Sequence, residues 1–225
     1  MTPPSPLLSA ASCPEGIEIE VSGWNQSKGK RLFDLLVAAV LLLLVSPLML
    51  VVALLVKISS QGPAFYRQWR VGKDGREFQL IKFRTMGHAS EQAGPSVTRA
   101  GDPRVTGAGR VLRKWKLDEL PQLLNVIRGE MSFVGPRPDV AEYINSLNRE
   151  QQKILKLRPG LTGAATLHYR NEEQLLSTVP AADLKRFYCS EVLPEKVRLD
   201  LEYARSAGFL SDLGILLRTA GAILR

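Results

Sequence analysis

The sequence predicts an α+β protein that is mostly helical. It reads as an N-terminal membrane helix with a kink, followed by a small cytoplasmic domain with a short β-hairpin and interfacial amphipathic helices. Three observations carry this. Residues 35–56 are 22 consecutive positions without a formal charge, enough at about 1.5 Å per residue to reach across a hydrocarbon core of roughly 30 Å. AFYRQWR and EFQLIKFR lie either side of Asp74-Gly75, the pattern of two strands around a tight turn. Leu120, Leu123, Leu124 and Ile127 recur at helical spacing.

At 225 residues the chain has room for one domain and an appendage. With 45% hydrophobic and 23% charged residues, wholesale disorder is excluded. The net charge of +8 becomes +11 once residues 1–27, with three Glu and no Lys or Arg, are set aside. A body this basic points to an anionic partner: nucleic acid, anionic lipid or a phosphorylated substrate. Two cysteines (Cys13, Cys189) and two histidines (His88, His168), without ligand spacing, exclude a disulfide framework and a His-rich metal site.

Residues 1–27, rich in Pro, Ser, Gly and Glu, read as a disordered acidic tail. Residues 28–60 read as the membrane helix, and 61–225 as a cytoplasmic, membrane-associated domain. Pro47 cannot donate to the Leu43 carbonyl and crowds it, so the helix bends at Ser46-Pro47. The Ser46 hydroxyl can bond a group freed there. Lys28, Lys30 and Arg31 precede the apolar run; Lys57, Arg67, Arg70 and Lys73 follow it. A spanning helix concentrates cations on its cytoplasmic side. A helix that dips in, bends and returns puts both flanks on one side. The two basic flanks favour the re-entrant form, with a spanning helix as the alternative. Asp34 follows Lys30 by four positions and Arg31 by three, so these three are expected to pair as an anchor at headgroup level.

After the hairpin, residues 87–103 read as loop. Residues 108–116 form a short basic helix whose Arg110, Arg113, Lys114, Trp115 and Lys116 suit either a headgroup interface or a solvated face. In KLDELPQLLNVIRGEMS, Pro121 is tolerated only in a first turn, which fixes the helix start near residues 117–118. Asp118 and Glu119 there are either ordinary capping chemistry or two carboxylates with separate tasks. Those tasks would be a nucleophile on phosphorus and a ligand for a hard cation. Arg137, held between Pro136 and Pro138, is a preorganised fork for phosphate, carboxylate or a base edge, or simply part of a turn. A second Pro/Gly loop, RPGLTG, carries Arg158. His168 reads as structural. Residues 172–205 read as one or two helices broken around Pro180 and Pro194, and FLSDLGILLRTAGAILR as a last apolar helix, packed on the core or lying on the membrane.

These residues resemble the bacterial sugar transferases, more specifically the monotopic phosphoglycosyl transferases. The matching blocks are KRLFDLL, the Ser-Pro inside the apolar run, GPAFYRQWRVGKDGREFQLIKFRTM, DPRVTGAGRVLRKWKLDELPQLLNVIRGEMSFVGPRPDVAEY and RPGLTG, nearly continuous over residues 30–163. The resemblance implies a re-entrant membrane hairpin kinked at Ser46-Pro47, on the cytoplasmic face of a bacterial inner membrane. It implies a catalytic domain that moves a phosphosugar from a UDP-sugar to polyprenyl (undecaprenyl) phosphate and releases UMP, the first membrane step of glycoconjugate assembly. Asp118 would attack the β-phosphate, and Glu119 would bind Mg²⁺. Pro136, Arg137 and Pro138 would meet the uridine nucleotide. Lys82, Arg84 and Arg104 would be phosphate-side cations, with Arg110 and Arg158 as secondary candidates. After RPGLTG the family commonly reads WAQVNGR, and this chain reads AATLHYRN, which leaves the sugar open. The alternative class is a non-enzymatic, membrane-anchored basic protein binding nucleic acid or anionic lipid. It gives the DELP and PRP blocks no role, and no nucleic-acid motif is present. An enzyme passing an unphosphorylated sugar would release UDP instead.

Overall fold

The computed structural model describes residues 21–87 and 98–223. The loop expectation at 88–97 and most of the acidic tail lie outside the described residues. The described end of that tail is folded. Helix α1 (Gly23–Gln26) is capped by Ser22, whose amide donates to the Ala204 carbonyl and whose hydroxyl donates to the Ala207 carbonyl. The Trp24 indole N–H reaches Asp212 Oδ2 at 2.9 Å. Residues 22–26 are therefore structured where the composition read as tail, because one aromatic and one serine find partners some 180 positions away that local composition does not reveal.

Helix α2 (Lys28–Ser59) is the single described helix long and apolar enough to cross a membrane, by length and composition. It continues through Pro47, and Ser46 Oγ donates to the Leu43 carbonyl at 2.9 Å, the group that Pro47 cannot serve. Leu43, Leu44 and Leu50 in its middle are exposed, while Ala38 in its N-terminal half and Val52 and Val56 in its C-terminal half pack onto the domain.

The expected anchor triad does not form. Lys30 turns inward to Asp212, with its ammonium also 3.1 Å from the Val134 carbonyl. Arg31 donates to the carbonyls of Val126 and Ile127. Asp34, 1% exposed, accepts from the Phe133 amide. Helical spacing put these three on one face correctly, but that face meets protein rather than headgroups.

Strands β1 (Phe65–Val71) and β2 (Glu77–Phe83) pair antiparallel as expected. Asp74 and Gly75 take positive φ (56° and 73°), a conformation that favours Gly and tolerates Asp. Helix α3 (Gly107–Lys114), capped by Thr106, is the basic helix. A 3₁₀ turn, Leu117–Gln122, leads into α4 (Leu123–Arg128). Of the expected stripe, Leu123 is buried and Ile127 is 37% exposed, while Val126 is buried instead. The 3₁₀ winding ahead of α4 shifts the phase of the pattern.

Strand β3 (Ser132–Val134) pairs in parallel with β4 (Gly160–Thr162), a pairing hidden in segments that read as turns. Gly135 allows it. A Cβ there would sit 2.3 Å from the Arg158 carbonyl oxygen, so only a glycine lets the PRP loop press on β4. Short helices α5 (Ala141–Ile144), α6 (Ala164–His168), α7 (Glu172–Ser177) and α8 (Leu184–Phe187) follow. Then come α9 (Leu193–Ser206), which Pro194 begins rather than breaks, and α10 (Phe209–Ile223). Tyr143, Leu176, Leu184, Tyr188 and Val197 form one core behind the PRP loop. Phe78, Leu80, Leu123, Val126 and Phe133 form a second, under α2.

Candidate active site

Lys116 links α3 to the 3₁₀ turn in a left-handed conformation (φ 54°), which a non-glycine residue rarely adopts. The kink delivers Asp118 and Glu119 beside β2. Asp118 is not the cap: Lys116 holds that position, and no side chain bonds the orphan amides. Asp118 is buried, and its Oδ1 meets no hydrogen-bond donor. Burial first, and the Glu119 charge second, raise its pKa above the ordinary aspartate range, against the pull of Lys82, Arg113 and Lys116.

Glu119 is the opposite case. Its Oε1 accepts from Arg137 Nη2 at 2.7 Å and lies 3.5 Å from Lys82 Nζ. Burial works to raise its pKa, but Arg137 and Lys82 outweigh that and hold it far below the usual carboxylate range. Arg137 is correspondingly pushed up by Glu119. Burial brings Lys82 down to about 8, against the charge of Glu119. Two neighbouring carboxylates are thus driven apart, one firmly ionised and one unpartnered.

The scaffold explains the placement. Asn125, fully buried on α4, accepts from the Ile81 amide at 3.2 Å and donates to the Gln79 carbonyl at 2.8 Å. It pins β2, and so Lys82, to the helix following the carboxylates. Arg70 donates to the Pro138 carbonyl at 3.2 Å, and Gly160 donates to the Pro136 carbonyl at 2.8 Å, fixing the backbone either side of Arg137. A recess beside Arg137 is lined by Asp139, Thr166, Lys196 and Asp200.

Asp118, Glu119, Lys82 and Arg137 therefore come together as expected, and the other expected cations do not join them. Arg84 is spent on the end of α2: its Nη2 lies 2.7 Å from the Ser60 carbonyl oxygen and 3.0 Å from Ser60 Oγ. Arg104 forms a two-pronged pair with Asp102. Arg110 is exposed on α3. Arg158 bears on Arg31 and Asp34, beside the start of α2.

Sequence reasoning missed Arg113 as a site cation. It bears on Asp118, and its Nε is fixed by Thr85 Oγ1 at 2.9 Å. Its place five positions before Asp118 in a basic run was the available signal. Asp200 was also missed. It accepts from the Ala165 amide at 3.0 Å, and burial raises it to about 7. Charges on the buried face of α9, where Lys196 and Asp200 stand four apart, were the signal there.

Among the described residues no group of three His, Cys, Asp or Glu could cage a metal. A lone ionised carboxylate beside an unpartnered one still fits Mg²⁺, which commonly takes one or two carboxylates plus substrate phosphates. Glu119 Oε2 accepts from no described donor. Chemically, cations from three elements surround a buried carboxylate whose Oδ1 has no hydrogen-bond donor, an arrangement that suits an anionic, phosphate-bearing ligand.

The family model described as "Bacterial sugar transferase" matches residues 25–225. The chain is 42% identical over 200 residues to the UDP-glucose:undecaprenyl-phosphate glucose-1-phosphate transferase of Caulobacter vibrioides, covering 87% of this chain and 69% of that one. It is 38% identical over 209 residues to the exopolysaccharide production protein ExoY of Rhizobium meliloti, covering 86% and 84%. It is 36% identical over 198 residues to the UDP-glucose:undecaprenyl-phosphate glucose-1-phosphate transferase of Escherichia coli, covering 84% of this chain and 39% of that longer protein.

Proposed function

The chain belongs to the bacterial sugar transferase family, and from that premise we propose that it moves a sugar 1-phosphate from a UDP-sugar to undecaprenyl phosphate and releases UMP. The relatives' names supply the substrate classes. The observation that carries the chemistry is Asp118: a buried carboxylate, unpartnered at Oδ1, beside a Glu119 committed to Arg137 and Lys82. A carboxylate that caps a helix has its oxygens occupied by amides; this one does not.

In the first step an oxygen of ionised Asp118 attacks the β-phosphorus. The bond from that phosphorus to the bridging oxygen breaks, and UMP leaves with the electron pair. In the second step a phosphate oxygen of the lipid attacks the same phosphorus. The acyl-phosphate bond breaks, restoring the Asp118 carboxylate and leaving a lipid diphosphosugar. Lys82 and Arg137 offset the charge of the diphosphate, and Arg113 acts from the Asp118 side. Mg²⁺, held by Glu119 with donor phosphate oxygens, would add positive charge at the transferred group. Two steps let one site serve a soluble donor and a membrane-bound acceptor in turn.

The re-entrant reading of α2 belongs to the same proposal. Its first turn bonds Val134 and Asp212 through Lys30, and its last turn bonds Arg84. Both ends are held by one body, which supports both lying on the cytoplasmic face, with residues around Ser46-Pro47 deepest in the leaflet.

The test is to incubate the purified membrane protein with single UDP-sugars, with and without undecaprenyl phosphate, and follow UMP. Stoichiometric UMP without acceptor and catalytic UMP with it are expected; release of UDP would sink the reading.

A further inference from the structure

Arg84 stands apart from the other cations of the region. It is 2% exposed, and it forms no hydrogen bond or ion pair with Asp118 or Glu119. Its Nη2 lies within 3.5 Å of the Val56 carbonyl, 2.7 Å of the Ser60 carbonyl and 3.0 Å of Ser60 Oγ, so it caps the C-terminal end of the 32-residue membrane helix. The last carbonyls of a helix carry no internal partner and a partial negative charge, which a guanidinium satisfies on both counts. Its Nε and Nη1 meet no described partner, so the helix end alone among the described side chains and carbonyls orients the group.

What matters is the segment that carries it. Residues 82–85 join three anchors within four positions. Lys82 faces Glu119. Arg84 holds the helix end, and its amide donates to the Ala64 carbonyl at 2.9 Å. Thr85 Oγ1 accepts from Arg113, the cation acting on Asp118. A shift of the helix end therefore moves the backbone between two cations of the site.

We propose that Arg84 is a positioning residue, which locks the cytoplasmic exit of the membrane helix at Ser60 to the strand end that sets Lys82 and Arg113. It acts through those two side chains, not on substrate phosphate. The inference rests on the transferase reading for its kinetic consequence and on geometry alone for its structural one.

The experiment uses full-length protein in nanodiscs, with Arg84→Lys, Arg84→Gln, Ser60→Ala and the Arg84→Lys/Ser60→Ala double variant. The structural arm is hydrogen exchange. Arg84→Gln should speed exchange at residues 56–64 and, together with it, at 80–85; loosening confined to the helix end would overturn the coupling.

The kinetic arm follows UMP from UDP-glucose or UDP-N-acetylgalactosamine with undecaprenyl phosphate. Misplacement by a fraction of an ångström predicts a kcat loss of about tenfold or more in Arg84→Gln, with KM for both substrates held within about threefold. Arg84→Lys should recover part of the rate. Ser60→Ala, which leaves Arg84 intact, should lower kcat in the same direction. The double variant should fall less than the product of the singles, because both remove one contact. A rise in KM of tenfold for donor or acceptor, with strict additivity towards Ser60, would mean that the two unpartnered nitrogens bind phosphate, and would overturn the proposal. A wild type that forms no UMP from either donor while the exchange coupling holds would count against the transferase reading and leave the lock standing.

Discussion

Arg137 Nη2 lies 2.7 Å from Glu119 Oε1, joining the loop between two prolines to the turn that carries the candidate nucleophile. The contact holds Glu119 ionised and keeps its charge beside Asp118. Arg137→Met should therefore raise the Glu119 pKa and lower UMP release by about 100-fold or more, the scale of losing one charged donor at a transition state. Arg137→Lys keeps the charge without the planar fork and should fall between the two. Equal rates for the Met and Lys variants would mean that charge plays no part.

Lys82 gives a pH signature. Burial lowers it to about 8 in the folded protein, so its charge is present below that pH and lost above it. If the charge offsets the donor's phosphates, kcat/KM should fall as pH rises through about 8, since that ratio reports the free enzyme. Lys82→Arg stays protonated throughout. Its profile should lose the alkaline limb even if the plateau is lower, and a limb that persists unchanged in Lys82→Arg belongs to another group.

The hairpin was legible because Asp74-Gly75 and its flanking strands are local information. So was the response to Pro47, since a missing N–H has one carbonyl to orphan and Ser46 was adjacent. The Asp118–Glu119 pair was visible as a motif, but the choice between cap and reagent was not. The left-handed Lys116 takes the cap position two residues upstream and leaves Asp118 a buried carboxylate. Arg84 shows the limit most clearly. A strand-end arginine two positions from Lys82 looks equivalent to it in sequence, yet the first faces a helix end and the second faces Glu119. The β3–β4 pairing and the Lys30–Asp212 contact join segments far apart in the chain, which composition and periodicity cannot report.

Both ends of α2 are held by the same body, and this predicts topology. Gln26→Cys and Gln61→Cys, both at exposed positions, in a background with Cys13 and Cys189 changed to Ser, should each react with a membrane-impermeant maleimide from the cytoplasmic side only. Pro47→Ala restores the amide donor to the Leu43 carbonyl and should shift part of the population towards a spanning helix. Periplasmic labelling at position 26 in the otherwise unchanged protein would rule out the re-entrant form.

Glu119 as a Mg²⁺ ligand predicts that chelation with EDTA stops turnover and that Mg²⁺ restores it. Glu119→Gln keeps size and a hydrogen-bond acceptor for Arg137, but an amide is a poorer ligand for a hard cation. It should lose activity without losing the fold. Full turnover in EDTA would remove the metal from the reaction.

Asp118 separates the two readings that its sequence context left open. As a helix cap, Asp118→Asn would be both active and slightly less stable, since Asn caps about as well. The structure predicts the reverse on both axes. Burial and the neighbouring Glu119 raise the folded-state pKa of Asp118 above its unfolded value, so the ionised form opposes folding at neutral pH, and that opposition fades as pH falls through the folded pKa. Removing the charge should stabilise the protein at neutral pH. At this chain length each ~1 kcal/mol gained is worth roughly 2–4 °C in Tm. An amide cannot replace the carboxylate as a nucleophile, so UMP release should fall by orders of magnitude in the same variant. In the wild type, UDP-sugar without acceptor should leave one phosphosugar on the protein, mapped by peptide mass to the segment holding Asp118. Undecaprenyl phosphate should then remove it, and steady-state kinetics should be ping-pong. A raised Tm with activity intact would leave Asp118 as a merely strained residue, and an adduct mapped to any other side chain would move the nucleophile there even if Asp118→Asn were inactive.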